Sequence, residues 1–371
     1  MGRAPEEVAY LRAVLAASTV AADALLAMER VAELLAPERS AALAAEIETR
    51  CGEPLGAARA ALAAAPAPAD LARFDEIFAA AFRHADECVG FFTSFPRAPA
   101  AERIPRILTA LHHHAQAQEH FYGIRALLPP FREYWGVDPP LRAGGDAQHE
   151  APEAPSDAAP QGPLFRVGAG GRHGGFSAYV PEQHDAARAW PLIVALHGGS
   201  GNGRDFLWTW VRDAKTRGYL VVAPTAVGAT WAEEDGAGLL QILDWLGARF
   251  HVATDRVLLT GLSDGATFTL VYGLQYRERF RALAPLCGVF HPVNAANGNL
   301  ERARGVPIYL VHGARDFLFP VTYAHFTRDL LVEAGADLRY RELPELSHTY
   351  PRSENAAILA WFEDCCAVAR A

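Results

Sequence analysis

The stretch Arg256-Val-Leu-Leu-Thr-Gly-Leu-Ser263-Asp-Gly265 opens with an apolar run of strand length, and from Asp264 to Tyr276 the apolar spacing becomes helical. Between the two lies Gly261-Leu-Ser263-Asp-Gly265, so the serine sits at the apex of a tight strand-to-helix turn. Such a turn lifts the hydroxyl above a sheet, and small residues two positions to either side let the backbone bend without a clash.

Around this stretch, short apolar runs alternate with helical patterns in the manner of a parallel, doubly wound α/β sheet. The expected strands are Leu164 to Val167, Phe176 to Val180, Leu192 to Leu196, Leu220 to Ala223, Val257 to Leu259, Leu283 to Leu286, Ile308 to Val311 and Leu338 to Leu343. Helices are expected at Asp205 to Arg217, Gly236 to Phe250, Asp264 to Tyr276, Val321 to Ala334 and Ser353 to Val368.

A serine hydroxyl is a weak nucleophile near neutral pH. It needs a base within hydrogen-bond reach and a third group to fix that base's tautomer. Asp316 follows the strand that ends at His312-Gly, and His348 follows the next strand, so both belong to the carboxyl edge of the sheet, where open α/β folds bind ligands. Asp329 and Asp337 are less well placed than Asp316. His291 competes with His348, while His312, before a glycine at a strand end, reads as a packed structural residue. The oxyanion of an acyl-transfer intermediate needs two backbone N–H groups. Leu196-His-Gly-Gly-Ser200 offers one, from Gly199 or Ser200, to act with that of Asp264, and His197 reads as a loop brace. Trp231, and His291 with Phe290, are candidate substrate walls.

The strand followed by His197-Gly-Gly, the Ser263 turn, His312-Gly-x-x-Asp316 and the late His348 resemble the α/β-hydrolase superfamily. Within it the resemblance is to the phospholipase/carboxylesterase, polyhydroxybutyrate-depolymerase and feruloyl-esterase group, and it covers about 164–371. It implies a serine esterase acting through an acyl-enzyme on a small-molecule or polymeric ester, with no cofactor and no metal. Acyl transfer or amide hydrolysis by the same triad is the alternative, and a catalytically silent binding protein is the rival from another class. Ala266 departs from the group, many members of which carry a second glycine there.

The first 130 residues read differently. Ala-rich, Pro-punctuated helical segments run over Val8 to Leu35, Glu38 to Arg50, Leu55 to Ala65, Ala69 to Phe92 and Ala101 to Leu128, which makes an all-helical domain with two candidate roles, a lid or a unit for homo-oligomerisation. Its conspicuous feature is Leu111-His-His-His-Ala-Gln-Ala-Gln-Glu-His120. One helix face would carry His113, Gln116 and His120, another His112, Gln116 and Glu119, and His84 or Glu87 could complete a metal site; the expectation is instead a solvated or hydrogen-bonded polar face. Residues 131–163, rich in Pro, Gly, Ala and acidic side chains, read as a linker to the domain at 164–371.

Composition narrows the partners. A formal charge of −9 with a single lysine, Lys215, offers no clustered basic surface for nucleic acid. The cysteines, Cys51, Cys88, Cys287, Cys365 and Cys366, lack zinc-finger spacing, and reduced thiols are expected. Glu6 and Glu7 stand where a signal peptide carries positive charge, and Arg12 and Asp23 interrupt the apolar stretch that follows. The expectation is a cytoplasmic protein without a membrane span.

Overall fold

A computed structural model describes residues 4–136, 161–168 and 171–368. The chain divides into two compact units, Met1–Val137 and Asp138–Ala371. The Pro-rich and acidic runs read as linker, at 142–146 and 150–157, lie outside the described residues.

In the first unit the described residues form α1 (Pro5–Glu33), α2 (Ser40–Ile47), α3 (Glu53–Ala64), α4 (Ala72–Ser94), α5 (Ala100–Ile124) and α6 (Pro129–Tyr134). Segments expected as two helices, Glu38 to Arg50 and Leu55 to Ala65, run on as one through a π turn over Glu48–Gly52. The wider turn carries the chain past Pro54, which has no N–H for the helical ladder. By length and composition α1 could cross a membrane, yet 56% of its most apolar window is buried. Ala17, Ala21, Leu25 and Met28 form its inward stripe.

Helix α6 corrects the expected linker start at residue 131. Its Pro-Pro opening resembles a helix breaker, but proline at the first helical position loses no hydrogen bond. Phe131, Tyr134 and Trp135 are buried, and the Phe131 ring stacks on Phe121 with centroids 3.8 Å apart. A polar chain runs beside these rings. The Tyr134 hydroxyl lies 2.9 Å from Glu29 Oε1 and 3.1 Å from Gln118 Oε1; Gln118 Nε2 donates to His114 Nδ1 (3.0 Å), and His114 Nε2 donates to the Leu25 carbonyl (3.1 Å).

The second unit is built on one sheet in which eight strands are described: β1 (Gly162–Gly168), β2 (Gly171–Val180), β3 (Trp190–Leu196), β4 (Leu220–Pro224), β5 (Val252–Leu262), β6 (Ala282–Leu286), β7 (Pro307–Gly313) and β8 (Asp337–Leu343). Their order is β1-β2-β4-β3-β5-β6-β7-β8. β1 and β2 pair antiparallel, β2 pairs antiparallel with β4, and every pairing from β4 to β8 is parallel. Strands β4, β6 and β7 are buried at every residue, as a sheet covered on both faces requires. β8, at the edge, alternates between exposed and half-buried positions.

The described helices of this unit are α7 (Gly203–Leu207), α8 (Val211–Arg217), α9 (Asp235–Phe250), α10 (Asp264–Gln275), α11 (Val293–Ala296), α12 (Asn299–Arg302), α13 (Val321–Glu333) and α14 (Asn355–Val368). The single helix expected over Asp205 to Arg217 is two, broken at Trp208-Thr-Trp210. Both tryptophans are buried, and residues two apart on a helix point to opposite sides, so burying both requires the break. Asn202 caps α7 by accepting from the Asp205 N–H at 2.9 Å.

The turn from β5 into α10 presses against the end of β3. A Cβ on Gly265 would stand 2.3 Å from the Leu196 carbonyl oxygen and 2.5 Å from that of His197. Ala266 is fully buried, and here the structure explains the departure noted in the sequence: its methyl faces Gly288, where an added Cβ would lie 2.6 Å away. The side chain gained at 266 occupies space that glycine leaves at 288.

Two outcomes are expected. Gly265→Ala forces backbone against backbone and should cost about 1–3 kcal/mol; an unchanged urea midpoint would count against the close approach. In the first unit burial, followed by repulsion from His113 and His120, holds the His84 imidazole down at about 4 against 6.5. Between those values the unfolded chain binds more protons, so this group's stabilisation is complete above about pH 6.5 and is lost as pH falls towards about 4. With chelator present, thermal unfolding of His84→Gln should therefore lose less stability than wild type between pH 7 and pH 5.

Candidate active site

Ser263 stands between β5 and α10 with φ 56° and ψ −116°, a left-handed conformation that a non-glycine residue adopts only under constraint. Its N–H donates to the Leu286 carbonyl at the end of β6 (2.9 Å), and its carbonyl accepts the Thr267 N–H (2.9 Å). Both bonds hold the strained turn, and the hydroxyl is left at the carboxyl edge of the sheet.

There the Ser263 Oγ lies 2.7 Å from His348 Nε2, and His348 Nδ1 lies 2.8 Å from Asp316 Oδ2. The Asp316 side chain is fully buried, and its other oxygen, Oδ1, accepts the N–H groups of Leu318 (2.9 Å) and Phe319 (2.7 Å). A carboxylate so held is an acceptor towards His348, which fixes the proton on Nδ1 and leaves the Nε2 lone pair facing the serine. The Phe319 ring meets the imidazole edge-on at 5.0 Å.

The loops carrying Asp316 and His348 are laced together. Ala314 N–H donates to the Leu343 carbonyl (2.9 Å) and Arg315 N–H to that of Leu346 (3.0 Å). Gly313 permits this approach: a Cβ there would stand 2.3 Å from the Leu346 oxygen and 2.7 Å from that of Ser347. His312, the rival base, is buried and donates from Nε2 to the Phe319 carbonyl at 2.8 Å, while burial lowers its pKa. It supports the loop from behind and does not reach the serine's place. Asp329 is exposed and paired with Arg328, and Asp337 is exposed at the start of β8.

The expected oxyanion donors are placed unequally. The Ser200 N–H is committed to the Ala229 carbonyl at 2.6 Å, which removes Ser200 from the expected pair. Gly199 remains beside Asp264, whose Cβ is 3.9 Å from where a Cβ on Gly199 would be, and Asp264 opens α10 directly after Ser263. His197 is a brace, as read from sequence: Nδ1 donates to the Gly198 carbonyl (2.7 Å) and Nε2 accepts the Ala226 N–H (3.1 Å).

Trp231 is corrected from substrate wall to brace. It is buried at 4% exposure, its indole N–H donates to the His197 carbonyl (2.8 Å), and its backbone N–H donates to Asp264 Oδ2 (2.7 Å). Burial raises the Asp264 pKa, with Trp231's N–H acting in the opposite direction. His291 is exposed on the loop after β6, with its ring 5.8 Å from that of Phe268.

Cys287 was not singled out by sequence. It has φ 54°, its N–H donates to the Val311 carbonyl, and its Sγ lies 3.9 Å and 3.7 Å from the carbonyl oxygens of Ser347 and Thr349, the two neighbours of His348. Burial, then the Asp316 charge, push the thiol up to about 12, so it stays protonated. Only its position directly after a strand end hinted at this.

Residues 240–365 match the phospholipase/carboxylesterase family. A bifunctional acetylxylan esterase/xylanase of Neocallimastix patriciarum is 33% identical over 135 residues, 34% of this chain and 19% of that protein. Dipeptidyl-peptidase 5 of Aspergillus fumigatus is 25% identical over 49% of this chain and 32% of its own. The chain thus spans less than a third of either relative's length. An S-formylglutathione hydrolase structure from Staphylococcus aureus is 17% identical, covering 55% of this chain and 97% of that one, with a TM-score of 0.46. Sheet order, the strained serine turn and the family match agree: the C-terminal unit has the α/β-hydrolase fold, and its residues 240–365 are similar to the phospholipase/carboxylesterase family.

Proposed function

We propose that the C-terminal unit hydrolyses carboxylic esters through an acyl-enzyme on Ser263. The observation that carries this is the unbroken line from Ser263 Oγ through His348 to the buried Asp316, at 2.7 and 2.8 Å. His348 Nε2 takes the serine proton as Oγ attacks the ester carbonyl. Asp316 stabilises the imidazolium without itself becoming protonated. Collapse of the tetrahedral intermediate breaks the bond to the alcohol oxygen, which receives the proton from His348, and water then repeats the attack on the acyl-enzyme.

The oxyanion is read as held by the N–H groups of Gly199 and Asp264. The Trp231-to-Asp264 bond keeps that carboxylate turned towards the loop after β4 and away from the developing negative charge. Phe317 and Leu318, next after Asp316, are 47% and 52% exposed, and they support an apolar acyl or leaving group lying beside the triad. His291 is read as a polar contact on the far wall. The peptidase named among the relatives makes amide cleavage the second reading, since the triad chemistry is shared.

On a p-nitrophenyl ester series, Ser263→Ala should retain the fold and lose nearly all turnover, and Asp316→Asn should lower kcat by about 10⁴. Wild-type rates in Ser263→Ala would reject the nucleophile. The double change Phe317→Ser with Leu318→Ser should lower kcat/KM for long acyl chains about tenfold while sparing acetate. Equal losses on both would place these side chains outside the substrate's path. Faster turnover of a dipeptide p-nitroanilide than of any ester would favour the second reading.

A further inference from the structure

The histidine-rich stretch of α5 is divided between solvent and its own unit: His112 is exposed, while His113 and His114 are half-buried. His114 is taken up by the polar chain to Leu25 and Gln118, whereas His113 turns towards α4 and meets His84 and Glu87, which share one face of that helix three residues apart. His113 Nδ1 lies 2.8 Å from His84 Nδ1 and 3.2 Å from Glu87 Oε2, and His84 Nδ1 lies 3.9 Å from that same oxygen.

We propose that His84, Glu87 and His113 form a three-ligand site for one divalent transition-metal ion of the zinc class. A tetrahedral zinc with bonds of about 2.0–2.1 Å sets its donors about 3.3 Å apart, and the three separations lie on both sides of that edge. A proton shared between the two Nδ1 atoms would satisfy one pair and leave the carboxylate oxygen competing for it. A dication at the centre serves all three lone pairs at once. Two imidazoles and a carboxylate are also the donor set that zinc accepts with a fourth position kept for water.

The surroundings hold the donors in place. The Phe91 ring stacks on His113 (5.4 Å, 10°) and the His120 ring on His84 (5.3 Å, 8°), so neither imidazole turns freely. Both histidine side chains are 16% exposed, while Glu87 at 40% gives the site its opening to solvent. Among the described residues this is the cluster of three metal-ligating side chains whose donor atoms all lie within 4.8 Å of one another. The site lies wholly in the first unit and does not depend on the esterase reading.

The test uses the tag-free full chain, stripped with chelator and desalted, with Zn²⁺ as titrant in calorimetry and Co²⁺ as an optical probe. Wild type and Ser263→Ala should each bind one equivalent, and His112→Ala should bind as they do. Glu87→Gln and His113→Ala should weaken binding by at least the about 10–100-fold that even outer partners of a ligand are worth. Co²⁺ should give the intense visible bands of a tetrahedral ion in wild type and lose them in both variants. Since Glu87→Gln keeps size and shape, its far-UV circular dichroism should match wild type, and Zn²⁺ should raise the Tm of wild type but not of this variant. Substoichiometric binding by wild type, or wild-type affinity in Glu87→Gln and His113→Ala, overturns the proposal and leaves a proton-sharing cluster in its place.

Discussion

Everything at the carboxyl edge depends on two backbone carbonyls, those of Leu196 and His197, standing where a side chain at position 265 would be. This close approach brings the start of α10 down onto the end of β3, and it sets Ser263 and Asp264 beside Gly199. The left-handed backbone at Ser263 follows from it, because a chain leaving β5 has no relaxed way to enter a helix so close to the neighbouring strand. The bond from the Ser263 N–H to the Leu286 carbonyl, and the buried bulk of Trp231 against His197, secure the turn from both sides.

A second left-handed residue, Cys287, stands one strand further along the sheet. Together Ser263 and Cys287 make adjacent strands β5 and β6 end in sharp bends, and the bend at Cys287 brings a weakly polar thiol under the carbonyls on either side of His348. The acid loop and the base loop are then tied by main-chain bonds across Gly313. Beyond its hydrogen bonds to Asp316 and Ser263, His348 is positioned by the main-chain bonds that tie its loop to that of Asp316.

The parts of this arrangement that sequence displayed are those with local causes. Strand runs such as Ile308 to Val311, the small residues around Ser263 and the positions of Asp316 and His348 just past strand ends are each written within about ten residues. What stayed hidden depends on partners distant in the chain. In sequence Ser200 and Gly199 are equal donors, but Ala229, on another loop, accepts the Ser200 N–H. Trp231 read as a wall because its anchors, His197 and Asp264, lie 34 and 33 residues away. The break at Trp208-Thr-Trp210 and the helix over Pro129–Tyr134 were missed because burial of aromatic rings overrode the local pattern. His84 and Glu87 are legible as candidate partners of the histidine-rich stretch, but they lie 29 and 26 residues upstream of His113, and helical spacing within α5 cannot show which of its faces meets them.

The polar chain from Glu29 through Tyr134, Gln118 and His114 to the Leu25 carbonyl has a consequence for how the helical unit assembles. Alanine-rich surfaces such as that of α1 are smooth, and two of them pressed together have many axial offsets of nearly equal energy. Hydrogen bonds do not tolerate that freedom: sliding α5 by one turn along α1 would carry His114 about 5.4 Å from the Leu25 carbonyl it donates to and strand buried polar atoms. The chain thus acts as a vernier for the bundle, selecting one alignment among many that hydrophobic contact alone would leave degenerate.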